Sequence, residues 1–166
     1  SLGHKIIHIP TLKISSAKNE PIDSSQFNAF IFTSANAIRN LKVIEQDKSK
    51  LCFCVGSITE KITRMSGYNN TISAGGTVNA LKNLIISSSH INEKSKIAYF
   101  CGDNVSYDLD LELKREGFKT NKIINYTSEK ITDLNEESKK IISNHSPDII
   151  FVYSARSAES FIEIVK

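Results

Sequence analysis

Phe30-Ile31-Phe32-Thr33-Ser34-Ala35-Asn36-Ala37-Ile38 reads as a buried strand that runs through a hydroxyl-bearing turn into a helix. The apolar run has strand length, Thr33 or Ser34 is suited to cap the next helix, and Ala37, Ile38, Leu41 and Ile44 recur at helical intervals. The pattern returns near the other end as Ile150-Phe151-Val152-Tyr153-Ser154-Ala155-Arg156-Ser157-Ala158. In both copies an apolar strand meets Ser-Ala, then a polar residue, then a helix. The copies lie about 120 residues apart, too far for a solenoid repeat. They imply two similar α/β domains, the second only begun in this chain.

Working outward from the first copy, strand and helix patterns alternate. Strands are expected at 27–32, 51–55, 71–72, 97–101, 122–126 and 148–152, with helices after each of them except 71–72, where Gly75-Gly76-Thr77 first turns the chain. Gly67 and Gly117 stand where helices end. Pro10, in the extended segment 6–14, cannot donate to a ladder, which makes that segment an edge strand or a crossing segment. The alternation predicts an α/β protein with parallel sheets and helices on both faces. Ligands of such sheets bind beyond the carboxyl ends of the strands, so the loops after Phe32, Val55, Cys101, Tyr126 and Val152 are the places to look.

Composition narrows the function classes. Over 166 residues the apolar fraction is 40 % and the charged fraction 23 %, as in folded globular domains. The net charge of +3, spread without a basic block, gives no footprint for nucleic acid and suits an anionic small molecule. No apolar run is long enough to span a bilayer, and no basic segment leads into a continuous apolar one at the amino terminus. Cys52, Cys54 and Cys101 form no framework spacing, and with His4, His8, His90 and His145 they offer no four-ligand zinc pattern. Reduced thiols and a cytoplasmic protein without a bound metal are therefore expected.

Several helix starts carry a hydroxyl beside free backbone N–H groups: Thr33-Ser34, Ser57 or Thr59, Gly76-Thr77 and Ser154. Each such terminus favours an anion, and several around one cleft would suit a ligand with many carboxylates. Capping of the fold accounts equally for any one of them. Tyr126 closes the apolar run Ile123-Ile124-Asn125 before a polar stretch, so its phenol could enter a cleft as a proton donor. An interface aromatic with a wet hydroxyl is the simpler account of the same pattern. Dinucleotide and P-loop glycine fingerprints and a nucleophile elbow are absent. The residues alone thus give an α/β protein with an anion-friendly cleft and no named reaction.

The order of short segments adds a resemblance. Phe32-Thr33-Ser34-Ala35-Asn36-Ala37 is similar to the FTSxNAV segment of the uroporphyrinogen-III synthase family, and Val55-Gly56-Ser57-Ile58-Thr59 to its VGxxT segment. Cys101-Gly102-Asp103 stands where that family has RGE or RGD, and Leu113–Phe118 resembles its helix end at glycine. Ile124-Asn125-Tyr126-Thr127 resembles VYRT, and Tyr153-Ser154-Ala155-Arg156-Ser157-Ala158 the second domain's FTSPSAV. Cys101 departs from the usual Arg, and Asn125 from the usual apolar residue.

The resemblance implies two flavodoxin-like parallel-sheet domains joined by two extended crossing segments. Residues 12–128 would be an inserted domain, with 1–11 and 129–166 an incomplete partner and the chain truncated at both ends relative to the family. It implies a lyase of haem and tetrapyrrole biosynthesis that needs no cofactor, acting as a monomer on hydroxymethylbilane, an open tetrapyrrole with eight carboxylates. The implied reaction closes the ring while inverting the last pyrrole through a spiro intermediate. By position, Tyr126 would be catalytic, and Thr33, Ser34, Asn36, Ser57, Thr59, Gly102 and Ser154 would hold substrate. The rival reading is a non-enzymatic module of the same fold that binds an anionic ligand.

Overall fold

The computed structural model describes residues 3, 6–144 and 147–165. The chain divides into two compact units, one of residues 15–127 and one built from residues up to Ile14 and from Ser128 onward. Strands β1 (Leu12–Ser16) and β6 (Lys119–Lys130) each begin in one unit and end in the other.

In the unit of residues 15–127, the apolar runs do become strands: β2 (Ala29–Phe32), β3 (Leu51–Cys54), β4 (Thr71–Ser73) and β5 (Lys96–Gly102). All four residues of β2 and of β3 are buried, as strands covered on both faces must be. Alternate residues serve opposite faces. Ala29, Ile31, Phe53, Ile97 and Tyr99 pack with Leu81 and Ile85 of helix α3 (Val78–Ile86) and with Leu109 and Leu113 of α4 (Leu109–Arg115). Phe30, Phe32, Cys52, Cys54 and Phe100 pack on the other face with Ala37 and Ile38 of α1 (Ala35–Arg39) and Ile62 of α2 (Ser57–Met65). The Phe30 ring lies edge-on to Phe32, Tyr68 and Phe100, with centroids 5.3–6.2 Å away.

The sheet order is β1-β6-β5-β2-β3-β4. The four ladders from β6 to β4 are parallel. β1 runs against β6, since Ala17 N–H donates to Asn125 and Ile131 N–H to Thr11. In chain order the parallel strands read 3-2-1-4-5, which differs from the expected flavodoxin-like 2-1-3-4-5. The cause is the path after β3. The chain adds β4 outside β3, and only the crossover through α3 returns it past β2 to form β5. The order therefore reverses between β2 and β5, which places the crevice of this sheet at their carboxyl ends.

Three further expectations change. Segment 6–11 is irregular, and the strand near Pro10 begins only at Leu12. The strand at 122–126 extends to Lys130, because β6 keeps a partner in β1 after β5 has ended. Residues 148–152 form no strand, and Ile149, Ile150, Phe151 and Val152 are exposed. A strand needs a neighbour to pair with, and none pairs with this segment among the described residues. The same unit contains α5 (Glu136–Asn144) and α6 (Ala155–Val165).

Candidate active site

The carboxyl ends of β2 and β5 meet at the point where the strand order reverses. Beyond β2 the chain turns through Thr33 and Ser34. Ser34 is the N-cap of α1, its Oγ accepting the Asn36 N–H at 3.1 Å. Thr33 Oγ1 lies 3.3 Å from the Tyr99 hydroxyl. Asn36 is half-buried in the first turn of α1, with its carbonyl accepting from Asn40. β5 ends at Gly102, buried, and Asp103 follows, whose N–H donates to the Tyr126 carbonyl at 3.1 Å.

Tyr126 lies across Gly102. A Cβ at position 102 would stand 2.7 Å from Cε2 and Cζ of the ring and 3.0 Å from its hydroxyl. A glycine is needed there by close approach. The ring also packs on the α1 face of the sheet, half-buried. Burial pushes the phenol pKa up from its ordinary value, and hydrogen bonding with the Ser34 side chain and the Gly102 backbone works the other way. Tyr126 is thus a neutral hydroxyl, a donor at physiological pH, beside the N-cap of a neighbouring helix.

The register explains how it gets there. β5 and β6 pair Cys101 with Ile124 but Gly102 with Tyr126, so Asn125 is the extra residue of a bulge. Strict alternation would send Tyr126 to the same face as Ile124. The bulge turns it to the face of Ile123, towards α1 and α2.

Of the other residues expected at the site, Ser57 opens α2 and is exposed. The N-cap of α2 is Gly56, without a side-chain cap bond, so neither Ser57 nor Thr59 caps that helix. Thr59 is buried within α2, and its carbonyl accepts from Thr63 Oγ1. Ser154 belongs to the other unit, is exposed, and accepts the Ser157 N–H at 3.1 Å at the start of α6. The structure therefore brings Thr33, Ser34, Asn36, Gly102 and Tyr126 together around the ends of β2 and β5, with Ser57 and Thr59 beyond β3. His4 and His145 lie outside the described residues.

Sequence reasoning missed the part played by glycine contact. A Cβ on Gly56 would stand 3.2 Å from the Gly76 Cα, so the loops after β3 and β4 touch through their backbones. Gly76, with φ +93°, accepts no other residue without strain, and its N–H donates to the Val55 carbonyl. The pairs Val55-Gly56 and Gly75-Gly76 were the available signal. The buried thiols take no part: burial raises Cys101 to about 11, leaving it a protonated, inert group.

A mostly parallel sheet with helices on both faces, and a polar rim at its switch point, defines a doubly wound α/β domain, a class whose ligands bind at the strand ends. A family model described as Uroporphyrinogen-III synthase HemD matches residues 1–166, and the chain belongs to that family, a family of lyases. The structure is similar to that of uroporphyrinogen-III synthetase from Helicobacter pylori 26695, with a TM-score of 0.63 and 18 % identity, covering 92 % of this chain and 68 % of that one. It is also similar to a mutant uroporphyrinogen III synthase from Thermus thermophilus, with a TM-score of 0.54 and 14 % identity, covering 79 % of this chain and 56 % of that one. At these identities the likeness is one of fold. No curated protein matches the chain. Among the described residues no helix is long and apolar enough to cross a membrane.

Proposed function

We propose that this chain is the scaffold of a uroporphyrinogen-III synthase, closing hydroxymethylbilane with inversion of its last ring. The observation that carries this reading is the phenol of Tyr126, held over Gly102 and beside the Ser34 N-cap at the switch point of the sheet. Family membership supplies the substrate.

The chemistry asks little of a protein beyond orientation and one proton donor. The substrate's hydroxyl leaves with the help of an electron-rich pyrrole. The last ring then attacks through its substituted carbon, forming a spiro centre whose opening and reclosure invert that ring. Unaided closure would join the wrong carbon, so holding the chain is the main task. Tyr126 donates to the departing hydroxyl, with the Ser34 N-cap beside it. Thr33, Asn36, Ser57 and the bare N-terminal amides of α2 offer donors to substrate carboxylates, as charge-assisted bonds of about 1.5–3 kcal/mol each. Thr59 completes the proposed set, through its place in the first turn of α2 rather than through an open side chain.

The test is production of isomer III against isomer I from hydroxymethylbilane supplied by a coupled deaminase. Tyr126→Phe is expected to lower kcat about a hundredfold with unchanged melting. The phenol donates only while protonated, and its pKa lies above the ordinary 10.0. Its contribution is therefore complete at neutral pH and is lost only as pH rises past that value. A fall in kcat between pH 7 and 9 that disappears in Tyr126→Phe would contradict the assignment. Binding of the substrate with no isomer III formed would favour the non-enzymatic module.

A further inference from the structure

We infer that Asn125 is the positioning residue of this site: its side-chain amide locks the bulge that aims the Tyr126 phenol. The inference rests on the catalytic reading of Tyr126 for its importance, but its geometry stands apart from it. Asn125 is 7 % exposed, in a run of sequence otherwise apolar, where an unpaired amide would be costly. Its Nδ2 donates to the Ala37 carbonyl of α1 at 2.6 Å. That carbonyl is open to it because the Leu41 N–H, which would close the helical bond, turns to Ile38 instead.

Consecutive residues of β6 thus face one short helix. Asn125 is bonded to its Ala37 carbonyl, and the Tyr126 ring packs on the same side of the sheet, by the Ser34 N-cap. α1 has only five residues, so one buried side-chain bond is a large share of what holds it against the strand. The amide also pins the bulge itself. With an apolar residue at 125 only the backbone bond from the Ala17 N–H would hold position 125, with no side-chain bond to α1, and the extra residue could relax toward regular alternation, which carries Tyr126 to the other face. The Asn125 Oδ1 has no hydrogen-bond partner among the described residues, so the side chain's one polar tie is the Nδ2 bond to Ala37.

Asn125→Leu and Asn125→Asp test this, each read by isomer III kinetics and by the 13C ring signal of Tyr126. An ionised Asp only accepts, whereas a protonated Asp also donates. In Asn125→Leu the Tyr126 signal is expected to shift, and kcat to fall about tenfold with KM within about twofold, as for loss of orientation. In Asn125→Asp, which is equal in size and serves if the Leu variant does not fold, kcat and the ring signal are expected to return toward wild type as the pH is lowered. A folded variant with the Tyr126 signal unmoved, or an Asp variant insensitive to pH, would overturn the proposal. If wild-type protein makes no isomer III while the signal still shifts as described, the catalytic reading fails and the positioning role of Asn125 stands.

Discussion

Phe30–Ile38 and Ile150–Ala158 are near copies in sequence, and the fold uses them differently. In the first, Phe30, Ile31 and Phe32 are fully buried in β2 between β5 and β3. In the second, Phe151 is 80 % exposed and Tyr153 96 %. The helix after each copy starts in the same way: Ser34 caps α1, and Ser154 bonds the first turn of α6. The surrounding units differ in kind as well. Residues 15–127 bury Phe, Ile, Leu and Tyr side chains on both faces of a sheet, while the described buried side chains of the other unit are Ser128, Leu134, Ser138 and Ser160. Ser160 there donates to the Thr11 carbonyl at 2.7 Å, and Arg156 to Ser128 at 2.8 Å. The lesson is that a cap is a local bond and survives in either setting. A parallel strand exists only where other strands receive it.

The widest separation between the two copies should appear in their aromatic residues. Phe30→Ala is expected to cost about 3–5 kcal/mol in urea unfolding, as for an aromatic removed from a closed core. Phe151→Ala should stay within about 0.5 kcal/mol. A large cost at Phe151 would mean that the second copy is packed in solution, and the contrast would vanish.

A smaller effect should come from Gly102→Ala, which sets a methyl against the Tyr126 ring. About 1–3 kcal/mol of destabilisation is expected, as for an overpacked core. The new methyl also displaces the phenol, so isomer III formation should fall more than stability does. Unchanged turnover would show that the ring can leave Gly102 without consequence.

The smallest effects should be alike in the two copies. Ser34→Ala and Ser154→Ala are each expected to cost about 1 kcal/mol, the usual worth of a cap. Only Ser34→Ala should also move the Tyr126 ring signal. A marked inequality in stability between the two would mean that one cap carries tertiary load.

Much of this was legible in the residues. The alternation of strand and helix was clear, as were the burial of 29–32 and 51–54, the capping of α1 and the glycine ends at Gly67 and Gly117. Each rests on short-range pattern: apolar runs, hydroxyls beside helix starts, glycine at a positive φ. The site was legible in part. Thr33, Ser34 and Gly102 were placed beyond strands, and Tyr126 at the end of one. The Gly102–Tyr126 contact was not, because it joins residues from two strands through a register shift. The cap of α2 was misread for a related reason. Gly56 was chosen there by its approach to Gly76, so the hydroxyls nearby were free of that duty.

By itself the sequence determined which segments are helical, which are apolar on both faces, and that an α/β sheet results. Those properties follow from bonds four residues apart and from side-chain periodicity. Only the tertiary structure decided the strand order, the bulge at Asn125, the face on which Tyr126 lies, and that 148–152 has no ladder to join. These depend on which strands meet and in what register, and a shift of one residue reverses every side chain beyond it.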